Sequence, residues 1–463
     1  MRFAALATDY DGTLALAGVV APATVDALER LKASGRALVL VTGRELDELL
    51  EIFPAIDRFD RVVAENGALL YTPATRERKE LGQAPPGAFL AELERRGVPF
   101  SFGTSIVATA HPYETVVLET IRDLGLELQV IFNKGAVMVL PASVNKASGL
   151  KVALDELGLS PRNVAAIGDA ENDHALLRFA ELGVAVANAV PMLCKRADLT
   201  SALDHGAAVI ELVEHILTDD LRAARPREPR RHVLLGTDEH GAELRMPPAW
   251  VSVLVGGPAG SGKSVLAMGI LERLRGEGYQ YCVIDPVGSY RDLAEAMVFG
   301  ATASGPTVGE IMTALEKPDA CVVANLSGLA PAERPGFAGE LLHRLDALRA
   351  ASGRPHWIVV DDAHQLLPRA DDPAQPPPSR SSGGRICVTA HADQVSGTVL
   401  QDIDIAVALG TEPEQVFASL RPTAGVTTAL RRVPRLERGQ AILWDRRNGG
   451  QPVRITIAPS AAA

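Results

Sequence analysis

Short apolar runs, each ending on glycine or a carboxylate, recur along the chain and alternate with stretches whose apolar residues return every three or four positions. That switching of period predicts βαβ units around parallel sheets in both halves. In the first half, residues 3–9, 37–43, 61–67, 163–169 and 183–189 read as buried strands, and amphipathic stretches such as 25–35 as the helices between them. Residues 68–141 break this rhythm. A helix over 88–97, strands over 98–103 and 105–110, a helix over 114–125 and strands over 127–132 and 136–141 predict a small α/β layer inserted between core strands. In the second half, 232–247 reads as a β-hairpin, 250–255 as an apolar strand, 264–276 as an amphipathic helix and 356–362 as a further strand.

At 463 residues the chain is long enough for two or three domains, each with its own core. The division falls in 218–232, which holds five arginines and two prolines without apolar periodicity and reads as a solvated linker. The expected domains are a core over 1–67 and 142–217, the insert over 68–141, the linker, and a second domain over 233–463. Residues 367–385, rich in proline, serine and glycine, read as a mobile surface loop. With 47% hydrophobic and 22% charged residues and no apolar run of about 18, the composition fits a globular protein, and no membrane span is expected.

The net charge of −11 arises before residue 221, where 20 Lys+Arg face 31 Asp+Glu; beyond it 26 face 26. No basic footprint covers the chain, which disfavours generic DNA coating but leaves a local basic groove in the second half open. Four scattered cysteines without a CxxC pair, and no basic leader ahead of the first apolar run, point to a reducing, cytoplasmic setting.

Asp9 and Asp11 end an apolar strand and, by alternation, point the same way at its carboxyl edge, where open α/β sheets hold ligands. Two like charges side by side suit a hard dication such as Mg2+. Asp169 and Asp173 follow another buried run and bring further carboxylates, while Thr42, Arg44 and Lys146 could serve a phosphate. The ordered segments DYDGT, VTGR, ENGA, NKASGL, GDAENDHALL and VANA resemble haloacid-dehalogenase-type phosphatases of the Cof-like branch, over residues 1 to about 217. The resemblance implies a Rossmannoid parallel sheet with an α/β cap. It implies that Asp9 is the nucleophile forming an aspartyl-phosphate and Asp11 the acid/base. Thr42 and Lys146 would hold the phosphoryl oxygens. Asp169, Asp9 and the backbone carbonyl of Asp11 would bind Mg2+, with Asp173 orienting that shell. Ala147 stands where relatives often have glycine. The short cap favours a small phosphorylated substrate, a sugar phosphate or a phosphoglycolate-like acid, and no role is assigned to His111, Tyr113 or Asn133.

In the second half, Gly257-Pro258-Ala259-Gly260-Ser261-Gly262-Lys263-Ser264 lies between a strand and a helix, the context of a phosphate-binding P-loop. Its backbone amides at Gly257, Gly260, Ser261 and Gly262 would cradle phosphates, Lys263 reach the β- and γ-phosphates, and Ser264 ligate Mg2+. Asp361 and Asp362 end the strand over 356–362, the position where ATPases with such a loop place a metal-linked aspartate followed by a water-activating acid, roles that this similarity would give to Asp361 and Asp362. With Asp285-Pro286-Val287-Gly288 and Thr389-Ala390-His391, these segments resemble RecA-like ATPases of the HerA/FtsK type, over about 232–458. That resemblance implies ATP as ligand and a ring of copies in which an arginine such as Arg421 completes a neighbour's site. The expectation is therefore a phosphatase fused to an ATPase. A bifunctional kinase-phosphatase and a nucleic-acid-associated motor are the alternatives.

Overall fold

The apolar runs that open the chain become strands buried on both faces, the environment in which a run without polar positions is stable. In the computed structural model, which describes residues 1–369, 384–424, 436–447 and 449–460, the chain divides into two units, Met1–Glu228 and Pro229–Ala463. The first unit holds β1 (Ala5–Thr8), β2 (Ala37–Val41), β3 (Arg61–Ala64), β4 (Leu69–Thr72), β5 (Glu77–Glu80), β6 (Ser101–Phe102), β7 (Val107–Ala110), β8 (Leu128–Asn133), β9 (Ala136–Pro141), β10 (Val164–Gly168), β11 (Leu182–Ala185) and β12 (Leu199–Thr200). Among the described residues, one sheet runs in the order β12-β11-β10-β1-β2-β3-β4-β5, parallel from β12 to β3 and antiparallel at β4 and β5. Alternation sends Leu6, Leu38, Leu40 and Val62 into one apolar layer and Ala5, Ala7, Val39, Val41 and Val63 into the other. Thr8 stands opposite Ile167 on one side and Leu40 on the other, so Asp9, Thr42 and Asp169 leave the sheet along a single edge.

Strands β6 to β9 form a separate antiparallel sheet in the order β6-β7-β9-β8. It packs with the helices Gly87–Arg95 and Glu114–Asp123 around Phe89, Leu93, Val117 and Val139. This cap is shorter than the sequence pattern suggests. Residues 69–80 extend the core sheet instead, β4 buried and β5, Glu77-Arg78-Lys79-Glu80, exposed at its edge. A short hairpin has the same alternation whichever sheet it joins, so its pairing with β3 is decided in three dimensions.

The expected linker 218–232 is not free along its length. The helix His205–Asp219 runs into it, Leu221 is buried, and the Arg227 backbone N–H donates to the Asp198 carbonyl at 2.9 Å. An apolar residue among the arginines anchors that part on the first unit.

The second unit holds β13 (Val233–Thr237), β14 (Glu243–Met246), β15 (Ser252–Gly256), β16 (Tyr281–Asp285), β17 (Ala296–Phe299), β18 (Cys321–Asn325), β19 (Trp357–Val360), β20 (Arg385–Thr389), β21 (Ile405–Leu409), β22 (Gln440–Asp445) and β23 (Val453–Ile457). Among the described residues these form one sheet in the order β14-β13-β23-β22-β21-β15-β20-β19-β16-β18-β17. It is parallel from β21 to β17 and antiparallel from β14 to β22, a mixed sheet where the pattern suggested a parallel one. The segment 367–385 falls mostly on 370–383, outside the described residues. Arg421 lies on the helix Pro413–Ala424, and its side chain is likewise outside them. No helix among the described residues is long and apolar enough to cross a membrane.

Candidate active site

Asp9 follows β1 directly and is 4% exposed. After it the chain must turn sharply, and Gly12 does so at φ +78°, where a Cβ would lie 2.1 Å from Oδ2 of Asp169. Only glycine lets the two loops approach this closely. Asn188, in the VANA segment, donates to the Gly12 carbonyl at 2.7 Å and holds that turn.

Lys146 reaches Asp9 because of how its helix starts. Asn145 caps the helix Lys146–Leu157, accepting from the N–H groups of Ala147 and Ser148, while Ser148 Oγ accepts from the Asn145 N–H. The first helical residue is thereby aimed into the sheet edge. Lys146, 1% exposed, donates to Asp9 Oδ1 at 2.5 Å and Asp173 Oδ1 at 2.7 Å. The other Asp173 oxygen accepts the backbone N–H groups of Asp169 and Ala170 at 2.9 and 3.0 Å, which shapes the loop after β10.

Asp9, Asp169 and Asp173 each offer an oxygen within 4.8 Å of the others, all three buried. Burial raises the Asp9 carboxyl well above the usual range; Lys146 opposes this, and Asp173 and Asp169 add to it. Asp169 is also raised, chiefly by burial, with the hydrogen bond from Lys134 pulling the other way. Burial works against the charge on Lys146, but Asp173 and Asp9 outweigh it and hold the ammonium above its ordinary value. Asp169 Oδ1 is buried without a hydrogen-bond donor among the described residues. Clustered carboxylate oxygens, one of them orphaned, are the donor set that a hard dication such as Mg2+ prefers.

The remaining expected residues are placed less directly. Thr42 is 1% exposed, and its hydroxyl accepts the Arg44 N–H at 3.1 Å. Asp11 stands outside the three-carboxylate cluster, its carboxylate gripped by Arg44 through Nε at 2.6 Å and Nη2 at 2.7 Å. A cavity of about 200 Å³ opens over Asp9, Asp11, Arg44 and Asp169 and is closed from the cap by Ser101, Ile106, Ala108, Asn133 and Met138. Asn133 therefore faces the site, whereas His111 is exposed beside Glu114 and Tyr113 packs against the cap core. The sequence reading missed Lys134, at the β8–β9 turn, whose ammonium pairs with Asp169. A lone lysine in a tight turn carries no signal of what lies beneath it.

In the second unit, register puts Gly256 beside Thr389 and Val360 beside Cys387, so β15, β20 and β19 end along one edge. Gly257, Gly260 and Gly262 adopt φ of +151°, +76° and +95°, and the helix Lys263–Gly276 begins at their end. The Lys263 ammonium donates to the Pro258 carbonyl at 2.9 Å. Burial lowers its pKa, with Asp361 and Asp362 opposing. Ser261 Oγ is buried without a partner among the described residues. Asp361 is 4% exposed and its pKa is raised to about 7, first by burial and further by Asp362 and Asp285, while the Asp362 N–H and Lys263 oppose the rise. Asp362 sits at φ +43°. Asp285 is spent on its own turn, accepting the N–H groups of Val287, Gly288 and Tyr290. His391 stacks edge-on against His364 at 5.0 Å, and His364 Nδ1 lies 3.1 Å from the Thr389 hydroxyl. Tyr290 and His364 were not singled out from sequence. Tyr290 is fully buried, and its phenol is raised by burial and by Asp361 and Asp285, with Ser264 opposing.

The profile of the haloacid dehalogenase-like hydrolases matches residues 6–102 and 119–212. A phosphoglycolate phosphatase of Methanothermobacter thermautotrophicus is 31% identical over 46% of this chain and 98% of its own length. One from Natronomonas pharaonis is 32% identical over 40% of this chain and 85% of its own. A haloacid dehalogenase-like hydrolase structure from Bacteroides thetaiotaomicron, 19% identical, covers 46% of this chain and 100% of its own at a TM-score of 0.42. Through its first unit, this chain belongs to the haloacid dehalogenase-like hydrolases.

Proposed function

We propose that the first unit is a Mg2+-dependent phosphatase acting on a small phosphomonoester through an aspartyl-phosphate on Asp9. The observation that carries this reading is a buried carboxylate, Asp9, held at 2.5 Å by a buried ammonium beneath a small, capped cavity. Asp9 would attack phosphorus, forming the Asp9–phosphorus bond as the ester P–O bond breaks. Asp11, released from Arg44, would give its proton to the departing oxygen and then take one from the water that cleaves the acyl-phosphate, freeing phosphate and restoring Asp9. Lys146 and Thr42 would hold the phosphoryl oxygens. A Mg2+ held by Asp9 and Asp169, with Asp173 orienting the shell, would neutralise charge between nucleophile and phosphate. A cavity of about 200 Å³ favours a small ester, and relatives named phosphoglycolate phosphatase favour a phosphorylated acid over a sugar phosphate.

The test is phosphate release by the full chain with Mg2+ from phosphoglycolate, hexose phosphates and an aryl phosphate. Asp9→Asn should abolish turnover, because an amide does not accept the phosphoryl group. No release by wild type from any ester, or near-normal turnover by Asp9→Asn, would sink the reading.

The second unit we read as an ATP-binding and hydrolysing domain of the RecA-like kind, Lys263 and the loop amides holding phosphates, Ser264 and Asp361 the metal, and Asp362 the attacking water. The support is the convergence of Lys263 and the buried Asp361 beside the glycine-rich loop. Lys263→Ala should weaken ATP binding, measured by equilibrium titration, and leave basal phosphatase turnover unchanged. Unaltered ATP affinity would refute the site, and transfer of label from ATP to a small molecule would favour the kinase alternative.

A further inference from the structure

We propose that Glu65 is the latch that seats the cap over the phosphate loops, a positioning residue acting through the cap amides of Thr104, Ser105 and Ile106. Its bearing on catalysis rests on the phosphatase reading; the latch itself does not.

Glu65 follows β3 in the core, yet its carboxylate serves the cap. Oε1 accepts the Thr104 N–H at 3.0 Å, and Oε2 accepts those of Ser105 at 2.8 Å and Ile106 at 3.2 Å. The residue is 1% exposed, and no lysine or arginine pairs with it among the described residues. A buried carboxylate is costly unless its charge is met by donors. Here the donors are three backbone amides of the turn between β6 and β7, so the cap must be in place for the carboxylate to be satisfied.

Backbone conformation aims that side chain. Glu65 and Asn66 are consecutive non-glycine residues in the left-handed region, at φ +51° and +53°. Such positions persist where the surroundings over-determine them and are concentrated at functional sites. The same two residues tie down both catalytic loops: the Glu65 N–H donates to the Arg44 carbonyl at 2.9 Å, the Asn66 N–H to the Thr42 carbonyl at 3.0 Å, and Asn172 donates to the Asn66 side chain at 2.8 Å. One turn therefore joins the Thr42 loop, the loop carrying Asp169 and Asp173, and the cap turn whose Ile106 lines the cavity. On the cap side, a Cβ at Gly103 would fall 2.9 Å from the Glu65 carboxyl carbon, so the latch also requires an absent side chain there.

Hydrogen exchange on the full chain, without substrate, tests this. In Glu65→Gln, protection of the amides of Thr104, Ser105 and Ile106 should fall about tenfold or more, with β1 and β10 unchanged. Gly103→Ala, which keeps the carboxylate but crowds it, should loosen the same amides from the other side and serves if the first variant does not fold. With phosphoester substrate, both variants should raise KM by more than they lower kcat, because the closed arrangement is less populated before binding. Unchanged protection at 104–106 in both variants would overturn the latch, as would a loss spread evenly through the first unit. Loss confined to 104–106 in a protein that hydrolyses no phosphoester would leave the latch standing and the phosphatase reading refuted.

Discussion

Lys146 donates to Asp9 at 2.5 Å from a side chain that is 1% exposed, so the proposed nucleophile and its cation share a site largely closed to water. Replacing the lysine with methionine leaves Asp9 and Asp173 buried without their cation, at a cost to the first unit of about 3–5 kcal/mol at neutral pH. It should also raise the Asp9 pKa further, since Lys146 is what opposes burial there. The proposed attack needs Asp9 ionised, so the acid limb of kcat/KM should move to higher pH in Lys146→Met. Unfolding midpoints and a pH–rate profile check both outcomes; an unmoved limb would count against the pairing.

Lys134 pairs with an oxygen of Asp169, the carboxylate proposed to hold Mg2+, so the lysine and the metal would compete for it. The lysine side chain is 46% exposed but that of Asp169 is 1% exposed, so water screens the pair from one side only. Lys134→Ala should tighten Mg2+ binding to nucleotide-free protein severalfold, because it removes the cation that holds the buried Asp169 carboxylate. Calorimetric titration reads this directly, and weaker Mg2+ binding in the variant would contradict it.

Asp11, gripped by Arg44 beside the cavity, is proposed to protonate the leaving oxygen. Asp11→Asn should cost roughly 10²–10⁴ in turnover of alkyl phosphates. An aryl phosphate, whose leaving group needs no proton, should lose much less. Equal losses on the two esters would remove the acid role.

Asp361 gives the metal-free second unit a pH dependence. Its pKa is about 7 in the folded protein against 3.8 for an ordinary aspartate. Between these values the folded state binds more protons than the unfolded one, so stability falls as pH rises from about 4 to about 7 and levels off above. The whole effect is of the order of a few kcal/mol. Trp250, Trp357 and Trp444, all three tryptophans of the chain, lie in this unit, so their fluorescence reports its unfolding alone. With chelator present, Asp361→Asn should flatten the fall seen in wild-type urea midpoints; the same slope in both proteins would refute the buried charge.

Several candidate site residues could be placed from the chain alone because they sit where apolar runs stop. A strand that is almost wholly apolar must be buried, and the first carboxylate after it emerges at the sheet edge; this holds for Asp9 after β1, Asp169 after β10 and Asp361 after β19. The glycine-rich loop is legible for a similar reason, since its spacing is a backbone requirement and needs no distant partner. Lys146 could be suspected from its position at a helix start, but its two bonds to Asp9 and Asp173 could not.

What pattern left undecided is what depends on partners far along the chain. Whether the hairpin Leu69–Glu80 belongs to core or cap follows from its pairing with β3, and alternation is the same in either sheet. Lys134 sits 35 residues from Asp169, and Glu65 is 39 to 41 residues from the amides it holds. Their contacts exist only once the cap has folded over the core. The raised pKa of Asp361 has the same origin, because ionisation responds to the water and charge around a group. Local sequence encodes period, turn and residue chemistry, whereas strand order and cap placement determine which of those side chains meet.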